Sequence, residues 1–167
     1  MSLIPDISEL LARARADLRM GVPVVLTDDT GFSVVAIAAE TLSAQRLADL
    51  RGLDGDPVVA ITVRRAETLK ARAYDGDLAR VMIPSDVDIS WVQAVADPSD
   101  DLNAPMKGPL MSERAGNANL HRIAIALTKS ARLLPSAVVV QIEDGRGFAA
   151  SNGLTCIDHT RAAPHLA

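Results

Sequence analysis

At 167 residues, with a net charge of -4 and a pI near 5.3, the chain suffices for one self-supporting domain that buries roughly 70% of the surface exposed on unfolding. Its acidity and its aromatic content of 2% exclude a nucleic-acid surface, which needs clustered Lys and Arg to neutralise phosphates and rings on which bases stack. One cysteine, Cys156, permits no internal disulfide and no zinc site of several thiolates, and it reads as a small buried hydrophobe.

The first predicted element is a helix over residues 7–20. Asp6 followed by Glu9 has the spacing of a capping box, Ile7, Leu10, Leu11 and Leu18 recur at helical intervals, and Gly21 closes the segment. Val22 to Leu26 and Val34 to Ala38 are short, branched and almost continuously apolar, the pattern of strands covered on both faces. Between them lies a loop that opens on two adjacent aspartates, Asp28 and Asp29. Ser43 starts a second helix that Gly52 ends. Pro57 to Val63 is a strand, Ala66 to Ala73 is helical, and Leu78 to Ile83 is a strand before Pro84. Ser85 and Asp86 cap a short helix carrying Ile89, Val92 and Val95. The expected fold class is α/β, a mixed sheet flanked by helices in a single domain covering residues 1–167.

Residues 96–117 hold three prolines and two glycines, follow neither helical nor strand periodicity, and are expected to form one long loop without ligand spacing. The most regular helix follows. Leu120, Ile123, Ala124, Leu127, Ala131 and Leu134 share one face until Pro135 stops it, and Ala137 to Ile142 form a buried strand. His121 lies about 100° around the helix from the centre of that stripe, which predicts a half-solvated surface residue. Residues 143–147, Glu-Asp-Gly-Arg-Gly, read as a tight turn. No apolar stretch reaches the ~20 residues of a membrane span, and the amino terminus lacks the order of a signal peptide. The expectation is therefore a cytoplasmic protein with no membrane and no nucleic-acid partner. Met1-Ser2-Leu3 reads as a cloning remnant and Ala167 as a boundary, so that the chain is a piece of a longer protein.

Four segments, VPVVLTDD, VVAIAAETLSAQRLADLRGL, VVAITVRRAETL and IAIALTKSARLLPSAVVVQIEDGRGFA, resemble in the same order segments of 3,4-dihydroxy-2-butanone 4-phosphate synthase. The resemblance implies an α/β domain that works as a homodimer and is often joined to a carboxy-terminal GTP cyclohydrolase II domain. It also implies a magnesium site, and there this sequence departs from the pattern. Active members continue from the paired aspartates into a carboxylate-rich loop of the type D-x-D-R-E-N-E-G-D, where this chain has Asp28-Asp29-Thr30-Gly31-Phe32-Ser33. An H-T-E-A motif should open the helix before Pro135, but Leu120, His121 and Arg122 occupy its first three positions, and Gln141 replaces a Glu of the next strand.

The resemblance thus points to a catalytically degenerate synthase-like domain with no catalytic residues, metal or cofactor, associated with riboflavin biosynthesis and serving as a structural or dimerisation module. Two other readings follow from the same residues. One is a phosphometabolite-binding module using Arg51, Arg122 and Lys129 as phosphate partners. The other is a divergent enzyme that converts ribulose 5-phosphate to the butanone phosphate and formate with magnesium, using Asp28, Asp29 and His121. For the Asp28-Asp29 pair itself, the expectation is a turn held by Asp side chains rather than a working metal loop.

Overall fold

The capping box forms as the spacing requires. In the computed structural model of the chain, which describes residues 2–102 and 109–166, Asp6 accepts from the Glu9 backbone at 2.9 Å and Glu9 accepts from the Asp6 backbone at 3.0 Å. They open α1 (Ile7–Arg19). Its end explains why the first strand starts later than Val22. Gly21, at φ 75°, donates to the Leu18 carbonyl and Val22 to the Asp17 carbonyl, a Schellman closure that uses both residues to stop the helix.

The strands β1 (Val24–Thr27), β2 (Ser33–Ala38), β3 (Val58–Thr62), β4 (Leu78–Met82), β5 (Ser136–Ile142) and β6 (Cys156–Asp158) form one sheet in the order β4-β3-β5-β2-β1-β6. All pairings are antiparallel except β1 with β6. Side chains alternate between two buried faces, as the near-continuous apolarity demanded. Leu26, Ala36, Val58 and Val139 face a layer containing α1 and α5 (Asn119–Ser130). Val35, Val59, Val81 and Val140 face α2 (Ala44–Arg51), α3 (Val63–Leu69) and α4 (Ile89–Ala96). Leu120, Leu127 and Ile37 are completely buried, and truncating any one of them to Ala costs about 2–5 kcal/mol.

Beyond α4, which Asp88 caps instead of Ser85 and Asp86, and α5, which ends at Ser130 before Leu134 and Pro135, four expectations need correction. The helix expected at Ala66–Ala73 begins at Val63, because the Thr62 side chain caps the Arg65 backbone at 3.2 Å and ends β3 early. The turn expected at residues 143–147 is the start of α6 (Gly145–Asn152), with Asp144 left-handed at φ 46° and accepting from Gly147. An Asp-Gly pair suits a turn and a helix start equally well, and here the neighbours decide. Gly145 is wedged where a Cβ would come within 2.5 Å of the Ser33 hydroxyl.

The third concerns the long loop. Helix α4 reaches Ala96, Pro98–Asp100 make a 3-10 turn, and the chain returns beside β4, where Met82 donates to Met111 and Glu113 donates to Arg80, both at 2.7 Å. Residues 103–108 of that segment lie outside the described residues. Fourth, Cys156 is half-buried rather than buried. The tail from Cys156 onward folds as β6 and the short α7 (His159–Ala162), neither predicted from the pattern. No helix among the described residues is long and apolar enough to cross a membrane.

Candidate functional site

Both regions singled out by the sequence lie at the same end of the sheet, where β1 ends, β2 begins and β5 ends. Asp28 follows β1 and folds the loop onto itself. Its Oδ1 accepts from the Thr30 backbone at 2.9 Å, the Thr30 hydroxyl at 2.7 Å and the Phe32 backbone at 2.9 Å, while its own N-H donates to the Phe32 carbonyl. Partial burial opposes ionisation of this carboxyl, but the bonds from Thr30 and Phe32, with nearby His159, outweigh it and hold its pKa below the ordinary value. Gly31 takes φ 90°, a conformation that suits glycine. Asp29 is exposed on the outside of this turn.

The other region is a cavity of about 400 Å³ on the α5 side of the sheet. Its floor comes from Val58 and Val139, with Phe32 and Met82 at the sides. Polar walls are supplied by Asp54, Asp56 and Gln141 on one part and by Arg80, Glu113 and His121 on another. Arg80 projects from β4 and is 2% exposed. Its guanidinium donates twice to Asp75, at 2.9 and 3.2 Å, and lies 3.6 Å from Glu113. A buried cation requires such a partner.

His121 corrects the sequence expectation. It is 5% exposed rather than half-solvated. Residues 111–113 return along β4, and His121 lies close enough to Arg80 of that strand and to Asp75 to feel their charges, a tertiary contact that no helical projection contains. Burial above all, and then the charge of Arg80, push its pKa down to about 4, with Asp75 pulling the other way. The imidazole is therefore uncharged at neutral pH. Its Nδ1 is buried without a hydrogen-bond partner, a condition shared among the described residues only by the Ser112 hydroxyl. Leu120, in the position where the resemblance asks for a metal-binding His, points into the core at 0% exposure.

The three expected phosphate partners are not brought together. Arg51 ends α2 on the opposite face of the sheet and donates to the Pro84 and Val87 carbonyls. Arg122 is held by Asp77 at 2.8 Å and by Asn119. Lys129 is exposed in the last turn of α5, seven residues and about 10 Å along the axis from Arg122. Sequence reasoning missed Arg80, although a signal was present: a lone arginine inside the otherwise apolar strand Leu78–Met82.

No protein-family model matches the chain. It is similar to GTP cyclohydrolase-2 of Azospirillum brasilense, with 31% identity over 141 residues, which is 83% of this chain and 36% of that protein. The chain therefore spans about a third of the length of this relative. Among solved structures it resembles a cation-free form of 3,4-dihydroxy-2-butanone 4-phosphate synthase, at TM-score 0.69 and 20% identity over 98% of this chain and 97% of that one. A form of the synthase in complex with two magnesium ions gives TM-score 0.67 and 18% identity over the same shares. A two-domain synthase from A. baumannii gives 0.64 and 19%, covering 90% of this chain and 56% of that one.

The residues present do not fit a magnesium centre of that kind. Magnesium needs several convergent oxygens, Asp28 Oδ1 already accepts three hydrogen bonds, and no three His, Cys, Asp or Glu side chains among the described residues are grouped to hold a cation. What the six-stranded order, the helical layers and these likenesses share is the architecture, and by fold the chain is a 3,4-dihydroxy-2-butanone 4-phosphate synthase-like domain related in sequence to a GTP cyclohydrolase-2.

Proposed function

We propose that this domain is a catalytically inactive synthase-like module that supports, through self-association, a GTP cyclohydrolase II activity of the riboflavin pathway carried elsewhere in the same or a partner protein. The observation that carries this reading is the use of Asp28: its inner oxygen is spent on closing the five-residue turn Asp28–Phe32. A carboxylate engaged three times by the backbone and hydroxyl of its own loop has to give up that turn to bind a cation. The side chains at the other positions of the motif, Leu120, Arg122 and Gln141, supply no carboxylate in its place. The sequence likeness to a GTP cyclohydrolase-2 supports the association with that enzyme. Assembly as a homodimer is part of the same proposal, because an Ala-rich and Val-rich domain of this size gains stability by sharing apolar surface.

Two measurements test it. Incubation of the chain with ribulose 5-phosphate and magnesium should release no formate above the protein-free rate. Sedimentation equilibrium should give twice the monomer mass at micromolar concentration. Formate release that Asp28→Asn abolishes would establish the divergent enzyme instead. A concentration-independent monomer would remove the supporting role.

A further inference from the structure

The cavity beside His121 has the wrong charge for a sugar phosphate. Of the charged groups in its wall, Asp54, Asp56 and Glu113 are acidic and Arg80 is the single cation among the described residues. Arg80 is already held twice by Asp75. The start of α5, another feature that would favour an anion, has an acceptor of its own: the Asn117 side-chain oxygen takes the Asn119 N-H at 2.6 Å. The neighbouring arginines are engaged as well, Arg114 lying 4.8 Å over the Tyr74 ring and Arg122 paired with Asp77.

The carboxylates, by contrast, are available. No ion pair or side-chain hydrogen bond engages Asp54 or Asp56 among the described residues, and Glu113 meets Arg80 only at 3.6 Å. The loop that carries Asp54 and Asp56 is fixed in place, because Gly55 packs so tightly on β5 that a Cβ there would come within 2.5 Å of the Gln141 carbonyl. A second hollow of about 390 Å³ adjoins the first, sharing Asp54, Gly55 and Gln141 and adding Glu143 and Phe148. Phe32 lines the first hollow and Phe148 the second, on opposite faces of the sheet.

His121 is the independent mark of a ligand. It forms part of the cavity wall, is buried to 5% exposure and leaves Nδ1 without a partner. Buried polar atoms are rarely left so. An uncharged imidazole has one bare nitrogen that accepts a hydrogen bond. Acceptor-only carboxylates and an aromatic side chain complete a set that matches a flat group with N-H donors on its rim. A cavity of this volume lies in the ordinary range for small organic ligands.

We infer that the cleft beside His121 binds a small, flat, nitrogen-bearing ligand of amidine or amino-heterocycle type, neutral or cationic, through Asp54, Asp56 and Glu113, and does not bind sugar phosphates. The site is a recognition site and involves no covalent step. It is separate from the proposal of catalytic inactivity, since that is read by formate and this by binding.

Titration calorimetry and the imidazole signals of His121 in NMR test it on the full chain, with benzamidine, inorganic phosphate and ribulose 5-phosphate as ligands. Benzamidine should bind with one-to-one stoichiometry and shift the His121 resonances. Asp56→Asn and Glu113→Gln should each weaken it about tenfold, the loss of one charge-assisted hydrogen bond. Glu67→Gln, an exposed change on α3, should leave it unaltered. Benzamidine binding that ignores both cleft substitutions, absence of binding at millimolar ligand, or saturation of the His121 shifts by either phosphate at equal or lower concentration would overturn the assignment. Because Glu113 is 42% exposed, its variant keeps the fold and the comparison remains informative.

Discussion

The Asp28 loop and the His121 cavity sit at one end of the same sheet and have used their polar groups in opposite ways. In the loop, the Asp28 oxygen facing inward is bonded three times within its own turn. In the cavity, an imidazole nitrogen and two carboxylates remain uncommitted, while the arginine beside them is tied to Asp75. A polar residue bonded by its neighbours in sequence contributes stability whether or not anything binds. One that is buried and unpaired costs free energy until something does. The motif that drew notice in the sequence belongs to the first kind and His121 to the second, while Asp54 and Asp56 are unpaired among the described residues but exposed.

That contrast breaks first at Arg80. Arg80→Ala leaves Asp75, itself only 12% exposed, without its partner and should cost about 3–5 kcal/mol in urea unfolding. Adding Asp75→Leu to Arg80→Met should recover most of the loss. If the single change costs no more than a surface pair, Arg80 and Asp75 are not the buried ion pair described above.

The pH dependence of His121 comes next. Its pKa in the folded protein, about 4, lies below the ordinary 6.5, so the unfolded chain binds the extra proton more readily. Stability from this group is complete above pH 6.5 and falls as the pH drops from 6.5 towards 4, by about 3 kcal/mol across the interval. His121→Phe should lose that part of the acid sensitivity and keep the rest. An unchanged slope would show that the imidazole is not buried in the uncharged form.

The loop supplies the smallest effects. Asp28→Ala removes three accepted hydrogen bonds from a partly exposed turn and should cost about 1–2 kcal/mol, whereas Asp29→Ala should stay within about 0.5 kcal/mol. Millimolar magnesium should raise the melting temperature of neither the parent nor the variants. Equal costs at the two aspartates, or stabilisation by magnesium that Asp28→Ala removes, would restore the pair as a cation loop.

How much of this was legible depended on the range of the interactions involved. The capping box of Asp6 and Glu9, the α5 stripe from Leu120 to Leu127 and the apolar strands are local or periodic, and the structure follows them, although α5 ends at Ser130, before Leu134 and Pro135. The likeness of four ordered segments carried the architecture. His121 was misplaced because the stripe of its own helix says nothing about the other elements packed around it, among them Arg80 of β4 and Asp75. Asp144-Gly145 was misread because the same two residues can turn a hairpin or start a helix, and Ser33 and Thr27, more than a hundred positions away, hold Gly145 in place. Arg80 needed only the question of what neutralises a charge inside an apolar strand. Its answer, Asp75, was five positions away.

The pairing of β1 with β6 has a consequence for biosynthesis. Val25 sits opposite Cys156, Thr27 opposite Asp158, and the Thr155 hydroxyl reaches Asp17 at 2.7 Å. As the chain leaves the ribosome, β1 emerges early and its outer edge has no strand to pair with until nearly the whole domain has been made. At about 5–20 residues per second, that interval lasts several seconds to half a minute. The nascent domain therefore carries an open, hydrophobic sheet edge on the translating ribosome, a period in which chaperones or the neighbouring nascent chains of a polysome can reach it.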